Sequence, residues 1–151
     1  FNKGMNEDKE IHSHAGFKVY VNNVLKDFSD IKYMSITICG TENPNMTPEE
    51  YQLHKIHLHD RNGDTAHQHV KGATWGDLFK NLKYEFDDKP TGYINGEKVD
   101  DILSMEVNGF DRVLILSGSN DSIEDKLKTI PTKERIEEVE ATSEYCATTK
   151  K

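Results

Sequence analysis

Two stretches of the chain alternate apolar and polar residues with a period of two, and they anchor the reading of the rest. In residues 16–21, Phe17, Val19 and Val21 alternate with Lys18 and Tyr20, as in a strand with one buried face. Asn22-Asn23 tolerates positive φ and makes a turn, and residues 24–28 return as a second strand. In residues 51–70, Ile56 and Leu58 alternate with His57 and His59, and Ala66 and Val70 share a strand with His67 and His69. Between them, Asp60-Arg61-Asn62-Gly63 has the residue choices of a type I turn closed by a glycine bulge, with Gly63 at the left-handed position. Counting outward from Asp60 against Asp64 sets His57 opposite His67, Lys55 opposite His69 and His59 opposite Thr65. The hairpin then has an apolar face for a core and an imidazole face.

The period changes after Val70. Thr74 and Asp77 have the spacing of a capping box, and Leu78, Phe79, Leu82 and Phe86 form a helical stripe that packs on the apolar face, with Trp75 sealing its edge. Residues 93–99 read as a strand interrupted by an Asn95-Gly96 turn. Residues 112–117 are the most continuous apolar run in the chain, which belongs in the middle of a sheet covered on both sides. Elsewhere, residues 30–37 contain a short strand, Thr47 caps a helical turn, and residues 119–130 form a short helix. Residues 132–145 form a charged helix whose thin stripe of Ile136, Val139 and Tyr145 docks weakly or points away as a tail.

Composition narrows this to one α+β domain: 151 residues support one core, with a lead-in at 1–11, a globular body at 12–118 and a charged helical tail at 119–151. A net charge of −8 with no basic stripe argues against nucleic acid as a partner. No apolar run has the length of a membrane span, and because the chain begins at Phe1 rather than Met, a segment upstream is expected to have been removed, which leaves room for a signal or anchor there. Cys39 and Cys146 either form one bridge, stabilising by about 4 kcal/mol in the chain-entropy account, or are unrelated thiols. Their spacing does not choose.

The order hairpin, helix, strand, turn and apolar strand resembles the β-grasp (ubiquitin-like) fold. Residues 51–70, 74–86, 93–99 and Asn108-Gly-Phe-Asp-Arg-Val-Leu-Ile carry the resemblance. It implies a β-grasp core at 51–118, with the last strand central beside the first strand of the histidine hairpin, and an additional N-terminal hairpin. His12-Ser-His14, Ile56-His-Leu-His-Asp60, His67-Gln-His69, Ala73-Thr-Trp-Gly-Asp-Leu-Phe79 and Tyr93-Ile-Asn-Gly96 are similar to segments of a class of His-rich extracytoplasmic bacterial and archaeal proteins. That resemblance implies export and carries no activity.

All seven histidines lie between His12 and His69, and six fall in three His-x-His units. His57, His59, His67 and His69 share one hairpin face. His12 and His14 have the parity of Lys18 and Tyr20, which puts them on the solvent side, where they complete that site or make another. His54 has the parity of Ile56 and is expected to be a partly buried structural residue outside the ligand set. An all-imidazole set favours a divalent transition metal, Zn²⁺ or Cu²⁺ first and Ni²⁺ next, over oxygen-seeking Ca²⁺ or Mg²⁺. Because ligation needs neutral imidazole, binding is expected to weaken below about pH 6.5.

The expected function is metal sequestration, delivery or sensing. Two alternatives stand beside it. An exposed imidazole face could dock a protein partner in a pH-sensitive way. A metal with an open coordination position could activate water, with Asp60, Asp64 or Glu106 as bases, but no zincin, nucleophile-elbow, phosphate-loop or Cys-x-x-Cys pattern occurs, so catalysis is not expected.

Overall fold

The computed structural model describes residues 10–35 and 45–142. Cys39 and Cys146, and with them the bridge considered above, lie outside the described residues. The fold is α+β, and the described residues form a seven-stranded mixed sheet with four α-helices. The strands are β1 (Glu10–Val21), β2 (Val24–Leu25), β3 (Ile56–His57), β4 (Thr65–Val70), β5 (Thr91–Ile94), β6 (Glu97–Val99) and β7 (Arg112–Ser117). The helices are α1 (Pro48–Lys55), α2 (Trp75–Leu82), α3 (Ile123–Leu127) and α4 (Lys133–Ala141). Sheet order is β3-β4-β1-β7-β5-β6, with β2 paired to β1.

The apolar strand is central, as its lack of alternation predicts. Val113 and Ile115 enter the main core, while Leu114 and Leu116 pack with Ile130 on the opposite face. Its neighbour differs from the expectation. β7 runs parallel to β1, with Phe17 level with Val113 and Val19 with Ile115, and β1 separates it from the histidine hairpin. The strand before the first hairpin histidine is short because residues through Lys55 are helical, so β1, with twelve residues and apolar alternation, is the strand able to span the sheet centre.

One face of the sheet carries Ala15, Phe17, Val19, Ile56, Leu58 and Ala66 against Trp75, Leu78 and Phe79 of α2. Thr74 and Asp77 make the reciprocal capping box that starts this helix, and Lys83, at φ 58°, ends it before Phe86. Phe86 still packs on the core from the connection that follows. α3 and α4 cover the other face. Ile136 and Val139 are buried, and Ile136 fits over Gly16, so the charged C-terminal helix is docked along β1. None of the helices among the described residues is long and apolar enough to cross a membrane.

The histidine hairpin keeps its register but changes its corner. His57 is opposite His67, as counted, and Ile56 is opposite Gln68. The left-handed residues are Asp60 and Arg61, both at φ 58°, and Asn62 N–H donates to the His59 carbonyl, so the tight turn sits earlier than the glycine. Gly63 serves close approach instead: a Cβ there would lie 2.5 Å from Ser29 N and 2.6 Å from the Phe28 carbonyl carbon. Residues 31–33 form a 3₁₀ turn and Met34 makes a single bridge to Leu58, while residues 36 and 37 of the expected strand lie outside the described residues.

Candidate metal centre

Alternation in three neighbouring strands collects the histidines. His14 of β1 is the registered partner of His67 on β4, which is in turn the partner of His57 on β3. Like parity therefore stacks three rings across the sheet, and His12, His59 and His69 flank them. Ring centroids lie 4.2 Å apart for His14 and His67, 4.5 Å for His59 and His67, 4.5 Å for His12 and His67, and 4.5 Å for His67 and His69. The structure thus gathers all six histidines expected from sequence, with His67 in the middle.

It does not leave them on the solvent side. His14, His57, His59, His67 and His69 are all buried, and His12 alone of the six is exposed. α4 is the reason, since it lies over the β1 side of the cluster, and α1 closes the β3 side. Among the described residues, His12 is thus the one ring of the six left open to a protein partner. Burial also holds the rings neutral: removal from water pushes His57 down to about 4, and burial with the neighbouring His59 pushes His14 down to about 3. His67 and His69 are lowered for the same first reason, aided by His14 and His57 respectively. In the folded protein these imidazoles stay neutral well below pH 6.5, the protonation state that metal ligation requires.

Among the described residues, three groups of side chains bring ligand atoms within 4.8 Å of one another and could hold a metal ion: His14, His59 and His67; His12, His67 and His69; and Glu10, His54 and His69. The first is fully buried. In it, His67 Nδ1 stands 2.7 Å from His14 Nε2 and 2.9 Å from His59 Nε2. Ligand atoms on a tetrahedron with bonds near 2.1 Å sit about 3.4 Å apart, so these two pairs would have to open by about 0.5 to 0.7 Å to admit an ion.

Outer contacts fix these rings. His14 Nδ1 lies 3.3 Å from a Glu140 carboxylate oxygen and His59 Nδ1 3.0 Å from Asp60. His57 Nδ1 donates to the Leu53 carbonyl at 3.1 Å, which leaves the lone pair on Nε2, and that buried atom has no hydrogen-bond partner. Carboxylates and carbonyls behind the ring are the usual devices that orient a ligating histidine and raise its basicity. Glu140 is pushed up by burial and by Glu137, a cost that a cation bound through His14 would relieve.

Sequence reasoning missed Glu10, His54 and Glu140. His54 faces the cluster because it sits on α1, where strand parity does not apply. Its ring stacks on His69 at 4.6 Å, and its Nε2 is 2.9 Å from Glu10. Thr47, Pro48 and Glu50, a full capping box with proline in the first turn, were the signal that helix continues past Tyr51. Asp60, weighed only as a base, supports His59.

Compared with known proteins, the chain matches no family model, no curated protein and no solved structure.

Proposed function

We propose that this protein binds a divalent transition metal, Zn²⁺ or Cu²⁺ first, at His14, His59 and His67, with His57 Nε2 as a further buried donor in the same cluster. Sequestration, delivery or sensing outside the cytoplasm is the role proposed for it. A count of protons carries the reading. If His14 and His59 donate Nδ1–H to Glu140 and Asp60, their Nε2 atoms are lone pairs, and both face His67 Nδ1. One hydrogen on His67 Nδ1 can point at only one of them, which leaves the other lone pair at hydrogen-bond distance from a buried ring nitrogen that donates nothing to it. Protonating a second ring is opposed by burial, and a dication satisfies all three nitrogens at once.

The strand order supports reading the scaffold as β-grasp with β1, rather than β3, in the role of its first strand. On that reading, residues 26–64 are an insertion that brings α1 and β3 to the sheet edge, and the metal lies on the face opposite the main helix.

Protein purified without a polyhistidine tag and titrated with Zn²⁺ tests the reading. Tight binding is expected in the native protein, and His57→Ala with His67→Ala is expected to abolish it. Absence of tight Zn²⁺, Cu²⁺ or Ni²⁺ binding, or unchanged affinity in the double variant, would rule the site out.

A further inference from the structure

Glu10, His54 and His69 share no residue with His14, His59 and His67, yet the third group, His12, His67 and His69, takes one member from each. The two ends also differ in access. The side chains of Glu10 and His54 are 63% and 19% exposed, whereas His69 and His67 are 3% and 1% exposed. From surface to interior the three groups therefore form a sequence in which each differs from the next while keeping one histidine in common.

The outer group has the chemistry of an acquisition site. One Glu10 carboxylate oxygen lies 2.9 Å from His54 Nε2 and 3.6 Å from His69 Nδ1, so one anionic oxygen already faces two imidazole nitrogens. Two nitrogens and one carboxylate are a common donor set for Zn²⁺ that keeps a coordination position for solvent. Three elements converge there: Glu10 comes from the first residue of β1, His54 from the last turn of α1 and His69 from the interior strand β4. A register shift between Glu10 and Ser13 turns the start of β1 so that Glu10 reaches this group while His14 keeps its pairing with His67.

We infer that Glu10, His54 and His69 form a second, solvent-facing transition-metal site, and that it loads the buried site through His12, His67 and His69. This rests on the metal-binding reading above and adds a second ion and a route. Transfer proceeds by ligand exchange: an ion held by Glu10, His54 and His69 keeps His69 while His12 and His67 replace the outer pair. It then keeps His67 while His14 and His59 replace His12 and His69. No step leaves a bare ion, and each ring nitrogen that takes the metal gives up its proton or carries it on the other nitrogen.

The test uses Co²⁺, whose visible spectrum reports its ligand field, and Zn²⁺ by calorimetry, on the wild-type chain, Glu10→Gln/His54→Gln and His14→Asn/His59→Asn. Two equivalents are expected in the wild type. The outer variant should bind one and fill it about tenfold more slowly, in line with loss of outer ligands. The inner variant should keep one equivalent with the spectrum of a mixed nitrogen and oxygen site. Circular dichroism of each variant confirms that it folds, and Glu10→Gln alone, a change at an exposed side chain, should already slow loading. One equivalent in the wild type, bound at the same rate in the outer variant and in Glu10→Gln, would overturn the outer site and leave the buried one standing. No binding in the wild type would overturn both.

Discussion

His67 touches more of the cluster than any other ring, and what its neighbours do with their outer nitrogens decides the chemistry. Glu140 and Asp60 act on His14 and His59 by holding Nδ1–H and turning Nε2 inward. Replacing Glu140 with Gln keeps an acceptor but removes the charge, and should weaken Zn²⁺ affinity by about 10- to 100-fold in competition against a chelator. Asp60→Asn should do the same. A different constraint applies at Gly63, where backbone rather than side-chain atoms would meet a new methyl group. Gly63→Ala should cost about 1–3 kcal/mol in urea unfolding, because Phe28 and Ser29 cannot yield without moving the chain. Alternation along the hairpin made the shared face of His57, His59, His67 and His69 legible from the residue types alone. His54 was not legible that way, since its direction depends on whether it belongs to strand or helix.

At the scale of elements, α4 matters more than its composition suggests. Its sequence is mostly charged, and its apolar stripe is thin, yet Ile136 and Val139 are buried and Glu140 follows one turn after Ile136. Ile136→Ala should destabilise the protein by about 2–5 kcal/mol in chemical denaturation, the range for a large aliphatic residue deleted from a packed site. It should also speed metal loss to a chelator, since the same helix carries Glu140. The capping boxes, the Asn22-Asn23 and Asn95-Gly96 corners and the central apolar strand were all readable, because each is written in a few adjacent residues. Docking of α4 was not, because it depends on Gly16 and Pro131 presenting a surface that fits Ile136. The pairing of β7 with β1 escaped for the same reason: both β1 and the histidine hairpin offered an alternating strand, and only the conversion of residues 48–55 to helix removes one of them.

For the whole molecule, burial of the imidazoles sets the response to acid. His14 and His57 titrate near 3 and 4 when folded, against about 6.5 in the unfolded chain, and His67 and His69 are also lowered. Between those values the unfolded state binds more protons than the folded one. Stability is therefore full above about pH 6.5 and falls as pH drops below it, by about 1.4 kcal/mol per pH unit for each histidine that stays neutral. Urea midpoints measured from pH 7.5 to 4.5 without metal should decline steeply over this window. Saturating Zn²⁺ should raise the midpoints near neutral pH and add a further dependence on acid, because the unfolded chain releases the ion and takes up protons in its place.

The parallel contact between β1 and β7 also sets a timetable. Gly16 and Arg112 pair although 96 positions of sequence separate them, and Glu140 follows later still. A growing polypeptide can close the β3–β4 corner early, but it cannot bring His14 under α4 until that helix has emerged. On the proposed reading the buried metal site is therefore completed after the sheet's first hairpin, and a chain truncated before Lys133 should fold poorly and hold Zn²⁺ weakly.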